Sequence, residues 1–278
     1  MTKKSTPKKS KASVSGDMPE SSSIWINASD GQRIRVETHG SGDLAVVLVH
    51  GGACDKGHWA KQISSLGRHW QAVVFDLPGH GESGKDRQGW SIEKFGDDVA
   101  RVASAAVDTK LVLVGHSMGG LVALEAARLL GTKVAGVIIV DALHQPSVRM
   151  TAPRSPEGAD VRTMMKKGMF TPSSDPVLQD RIVEGMLSVP SEIAGAIRAS
   201  TAEFDAVSAL RAVAALPLTV IFSGLREVDA ADIRACHPGA RIWVLKDTGH
   251  FMMLEQPELF NQLTSIEVWR MHGELVSI

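Results

Sequence analysis

The stretch from Leu111 to Gly120 constrains the fold of this chain more than any other. Four apolar residues, Leu111 to Val114, run straight into Gly115-His116-Ser117-Met118-Gly119, and an apolar, alanine-rich segment from Leu121 to Leu130 follows. An unbroken apolar run reads as a strand covered on both faces, and the longer segment after it reads as a buried helix. Ser117 therefore sits on a strand-to-helix turn. Such a turn is so sharp that glycine is needed on either side, and it lifts the serine hydroxyl clear of the sheet.

The same alternation recurs along the chain. Leu44 to Val49 is a buried strand ending in His50-Gly51-Gly52-Ala53, and Ala72 to Phe75 is another, ending in Asp76-Leu77-Pro78-Gly79-His80-Gly81-Glu82-Ser83. Val134 to Val140 ends in Asp141-Ala142, and Leu218 to Phe222 ends in Ser223-Gly224-Leu225-Arg226-Glu227. Arg241 to Leu245 leads into Asp247-Thr248-Gly249-His250-Phe251. Helical spacing fills Trp59 to Leu66 and Ser91 to Ala106, with Ser91 as N-cap, and Pro257 opens a last helix to about Trp269. Ile24 to Ile26 and Arg33 to Glu37 read as an antiparallel edge pair. This pattern specifies the α/β class, a mostly parallel central sheet with helices on both faces.

The alternation stops between Pro146 and Ala215. Four helical segments follow one another there, at Asp160 to Met169, Pro176 to Leu187, Ser191 to Phe204 and Val207 to Ala214. The expected organisation is a core of residues 24–145 and 216–278 with a helical lid, 146–215, inserted into it. Met150, Met164, Met165, Met169 and Met186 are candidates for an adaptable apolar lining of that lid. Residues 1–23 are rich in Lys, Ser and Pro and cannot bury enough apolar surface to offset chain entropy, so a disordered basic tail is expected.

Composition narrows the function. With 44% hydrophobic residues and a net charge of −1, nothing favours nucleic acid as a partner. Two cysteines, Cys54 and Cys236, make no disulfide framework, and no apolar run has the length of a membrane span, so a cytoplasmic protein is expected. No metal-ligand spacing and no phosphate-cradling glycine loop occurs, so no metal and no cofactor is expected.

Four landmarks in order, His50-Gly51-Gly52, the Asp76 to Ser83 loop, the Ser117 turn and Gly249-His250, each at the C-terminal end of a strand, make the chain resemble the α/β-hydrolase superfamily from about Ile24 to Trp269. The resemblance implies Ser117 as nucleophile. A neutral hydroxyl needs a base, and His250, on a late glycine-containing loop, is the candidate. The family's His50 and His80 positions are usually structural, and His116 fills the variable slot of the turn. The acid position three residues after the glycine ending the penultimate strand holds Glu227 where family members usually have Asp. Glu227 is the expected acid, with Asp141 and Asp229 as the alternatives. The resemblance further implies an oxyanion hole from the amides of Met118 and Gly52, with Ala53 as the fallback for Gly52.

The expected function is a serine hydrolase that cleaves a small or medium apolar ester, lactone or thioester through an acyl-enzyme. The alternatives are a carbon-carbon bond (diketone) hydrolase on the same residues and a non-catalytic ligand-binding receptor of this fold. Epoxide or halide chemistry is disfavoured, because the turn carries Ser rather than Asp and the chain has no tyrosine.

Overall fold

The computed structural model describes residues 20–147 and 160–276. Its strands are β1 (Ser21–Asn27), β2 (Arg33–His39), β3 (Leu44–Val49), β4 (Gln71–Phe75), β5 (Lys110–His116), β6 (Val134–Val140), β7 (Leu218–Ser223) and β8 (Arg241–Leu245). They form one sheet in the order β1-β2-β4-β3-β5-β6-β7-β8. The β1–β2 and β2–β4 pairs are antiparallel, and the pairs from β4 through β8 are parallel.

Burial explains why the central strands are apolar throughout. Every residue of β3, β6 and β7 is buried, because helices cover both faces. Ala45, Val47 and Val49 of β3 point into the layer holding α2 (Ile92–Ala106) and α3 (Met118–Leu130). Leu44, Val46 and Leu48 point into the opposite layer with α1 (Ala60–Leu66), the four-residue α9 (Met252–Glu255) and α10 (Pro257–Val276). The period of two along the strand thus divides one apolar run between two cores. Ser91 caps α2 by accepting from the Lys94 amide.

Between β6 and β7 lie α4 (Val161–Met169), α5 (Pro176–Leu187), α6 (Ser191–Glu203) and α7 (Ala206–Ala212). Each has few buried residues. Of the methionines proposed to line the insertion, Met165, Met169 and Met186 pack against the core, whereas Met164 is exposed; Met150 lies outside the described residues.

Some boundaries differ from expectation, and two short helices are new. β1 begins at Ser21, so Ser21 to Ser23 pair with β2 instead of belonging to the tail; residues 1–19 of that tail lie outside the described residues. The last helix continues past Trp269 to Val276. α8 (Ala230–Cys236) and α9 are helices the pattern did not reveal, each too short for a periodicity to register.

One buried ion cluster ties the edge of the sheet to α2. Arg87 makes two bonds to Asp98, at 2.7 and 3.0 Å, and two to Asp30 in the β1–β2 turn, at 2.6 and 3.2 Å. The Asp98 side chain is fully buried. Removing one partner of a buried pair strands the other charge, which costs several kcal/mol. Arg87→Met is expected to lower unfolding free energy by about 3 kcal/mol in urea melts.

Candidate active site

The site is built at the C-terminal ends of the parallel strands, beginning with the β5–α3 turn. Ser117 stands at φ 53°, ψ −123°, a conformation that costs a non-glycine residue roughly 1–3 kcal/mol. It is held there by its amide, which donates to Val140 O at 2.8 Å, and by Gly120 N, which donates to Ser117 O at 2.9 Å. A Cβ on Gly115 would stand 2.1 Å from Gly119 O, and one on Gly119 would stand 2.4 Å from Val49 O. Glycine is therefore required at both places. Met118 opens α3, so its N–H has no partner within the helix and lies at the positive end of the helix dipole.

Two buried histidines fix the loop that faces this turn. His50 Nε2 accepts from Leu77 N at 2.9 Å, and its Nδ1 bonds Gly51 O at 2.8 Å. His80 Nε2 accepts from Ala53 N at 3.1 Å, with Nδ1 on Pro78 O at 3.1 Å. Burial, then the neighbouring His80, pushes His50 down to about 3, and burial also lowers His80. Both rings are neutral connectors. The bond to His80 occupies the Ala53 amide, which removes the fallback oxyanion donor. Gly52 remains, and a Cβ placed on it would lie 3.6 Å from Met118 Sδ. The buried Asp76 ties both loops together, accepting from Lys56 N at 2.8 Å and Glu82 N at 2.9 Å.

His250 lies between β8 and α9 with both ends of its peptide unit anchored. Its N–H donates to Met169 O at 2.6 Å, and its C=O accepts from His116 Nε2 at 2.8 Å. Burial, then the nearby His250, holds His116 well below the ordinary histidine range. It is a neutral donor. Sequence reasoning assigned His116 no role, since only the folded loop shows which carbonyl it meets.

His250 Nδ1 meets Asp141 Oδ2 at 2.6 Å. The expected acid does not meet His250: Glu227 is exposed on the β7–α8 loop, and its carboxylate has no bond to His250 among the described residues. Asp229 is engaged elsewhere, capping α8 through the Asp232 amide at 3.0 Å. The physical reason is the backbone at the end of β6. Asp141 has φ 49° and turns its carboxylate along the sheet, where Oδ1 accepts the Ser223 N–H of β7 at 2.7 Å. Burial raises the Asp141 pKa, but the neighbouring His144, His250 and the Ser223 N–H together outweigh it and hold the carboxylate well below its usual range.

Ser117, Asp141, His250 and Glu227 all line one cavity of about 740 Å³. Its apolar wall includes Met118, Leu121 and Leu143 from the core and Met169, Phe204 and Val207 from the segment between β6 and β7. Arg226 lines the cavity as well. Among the described residues, no cluster of three or more His, Cys, Asp or Glu has the placement to hold a metal ion, and no helix is long and apolar enough to cross a membrane.

Residues 46–263 match the Alpha/beta hydrolase family, and the chain belongs to that family. A Pseudomonas putida protein, the dihydrolipoyllysine-residue acetyltransferase component of an acetoin cleaving system, is 29% identical over 235 residues, covering 81% of this chain and 64% of that one. The chain thus spans about two thirds of that relative's length. A pimeloyl-[acyl-carrier protein] methyl ester esterase of Yersinia pseudotuberculosis is 39% identical over 103 residues, 37% of this chain and 38% of its own. Among solved structures, a thermophilic esterase from Thermogutta terrifontis superposes with a TM-score of 0.73 at 26% identity, covering 90% of this chain and 99% of that one.

The helical turn that follows the Gly51–Gly52 loop carries its own charge pair. His58 is largely buried, which opposes its charge, but Asp55 and the Cys54 sulfur outweigh burial and push it up to about 10. An unfolded histidine titrates near ~6.5. The pair therefore contributes its full stability below that pH and loses it as pH rises toward 10. Urea melts from pH 6 to pH 10 are expected to show a decline in midpoint that His58→Asn flattens.

Proposed function

We propose that this chain is a serine hydrolase of small or medium apolar esters, lactones or thioesters, working through an acyl-enzyme on Ser117, His250 and Asp141. The observation that carries this reading is the 2.6 Å bond between His250 Nδ1 and the buried Asp141 carboxylate, on the same cavity as Ser117. An ionised Asp141 accepts the Nδ1–H and leaves the lone pair on Nε2, the nitrogen that takes the Ser117 proton as Oγ attacks the substrate carbonyl. The amides of Met118 and Gly52 receive the developing oxyanion, a contribution of about 2.7–4 kcal/mol for each donor in comparable sites. His250 then gives its proton to the leaving alkoxide or thiolate. Water, deprotonated by the same imidazole, cleaves the acyl-enzyme and frees Ser117.

The apolar wall of Leu121, Leu143, Met169, Phe204 and Val207 suits the hydrocarbon part of such a substrate. The helices α4 to α7 serve in this reading as a lid, since Met169, Phe204 and Val207 reach the cavity from them or from their connections. The two esterases among the similar proteins favour ester substrates over carbon-carbon bond cleavage.

A fluorophosphonate probe is expected to label the wild-type protein and not Ser117→Ala; equal labelling of both overturns the reading. On p-nitrophenyl esters, Asp141→Asn is expected to lower kcat about 10⁴-fold, because the imidazole is left in the wrong tautomer. Glu227→Gln is expected to stay within about threefold of wild type, as an exposed carboxylate outside the proton relay.

A further inference from the structure

The loop after β6 carries a second imidazole to the same carboxylate. Asp141 at φ 49° and Leu143 at φ 65° both take the left-handed backbone. Two such residues within three positions coil the chain back on itself, at a cost that something in the fold must repay. The coil returns His144 to Asp141. Its Nε2 stands 3.4 Å from Oδ1, the oxygen that His250 does not use. His144 Nε2 is buried and has no hydrogen-bond partner among the described residues, its contact with Oδ1 being an ion-pair approach at 3.4 Å. The ring is packed against Phe222 with centroids 4.8 Å apart, and its backbone C=O accepts from Asp229 N at 3.4 Å. A buried polar nitrogen is seldom left unpaired, and Asp141 Oδ1 stands close enough to accept from it after a small adjustment.

We infer that His144 is a positioning residue for the proposed hydrolysis: its Nε2–H steadies Oδ1 of Asp141, so that one carboxylate is shared between two imidazoles. The inference rests on the reading of Asp141 as the triad acid. The sharing has a direction. A donor on Oδ1 draws negative charge away from Oδ2, so the His250 imidazolium that forms during turnover is held less tightly and releases its proton more readily. The other titratable groups around the pair are His116 from β5, its ring 4.5 Å from that of His250, and Arg226, Glu227 and Asp205 on the cavity wall. Asp229 meets the His144 carbonyl, and Asp232 of α8 accepts from Ser147 N at 2.9 Å. Of these side chains, none is bonded to Oδ1 of Asp141.

The test compares wild type with His144→Phe, which keeps a flat ring against Phe222, and His144→Gln, whose amide nitrogen stands where Nε2 does. His144→Leu replaces the Phe variant if that one fails to fold by circular dichroism. In His144→Phe the acid limb of the kcat/KM profile, which reports His250 in the free enzyme, is expected to move up by about half to one pH unit, the worth of one hydrogen bond. His144→Gln is expected to return it to the wild-type position. A loss of kcat uniform across pH, with the limb unmoved, assigns His144 to packing alone and overturns the inference. The His250 ring titration followed by NMR reads the same shift without substrate. A wild type that shows no turnover but whose His250 titration still moves in His144→Phe sinks the hydrolase reading and leaves the carboxylate sharing standing.

Discussion

The approach of Gly119 to the end of β3 is the contact on which the site depends. With no side chain at Gly115 or Gly119, the first turn of α3 lies directly on the carbonyls of Val49 and His50. That contact fixes three things together. It forces Ser117 into a strained backbone, brings Met118 against Gly52, and anchors the helix to the middle strand of the sheet. Strain at Ser117 is sustainable because the strands on both sides are fully buried and paired, so the turn has no cheaper arrangement to relax into.

Around that turn the histidines divide into two kinds. His50, His80 and His116 are buried and neutral, and each uses both or one of its ring nitrogens to join backbone segments that no regular element connects. Their apolar surroundings are what keep them uncharged, since a proton there would go unsolvated. His250 and His144 instead face the ionised carboxylate of Asp141. One amino-acid type thus supplies rigid joints on one side of the cavity and polar partners for a charge on the other. The difference is set by burial and by which acceptor lies within reach.

Much of this was legible in the sequence, and the part that was not has a physical cause. The apolar runs from Leu44, Val134 and Leu218 mark their strands closely, because strands covered on both faces leave no polar residue to blur the edges. The turn at Ser117 is readable for the same reason, since its glycines answer to a close approach that no other residue permits. Which carboxylate meets His250 was not readable. Asp141, Glu227 and Asp229 all follow strand ends, and what separates them is a single backbone angle at Asp141 and the neighbouring Ser223 amide, neither of which leaves a trace in composition or spacing. The occupied amide of Ala53 was equally hidden, because its partner His80 lies in a different loop.

Asp141 draws its second hydrogen bond from the Ser223 amide, within the sheet, and not from the loop that follows β7. Its position is therefore set by strand pairing, the stiffest part of the fold, while Arg226 and Glu227 line the same cavity without a bond to it. The carboxylate beside His250 and this part of the cavity wall are in this way carried by separate pieces of chain. A change at Arg226 or Glu227 alters the wall of the cavity without touching the carboxylate that meets His250.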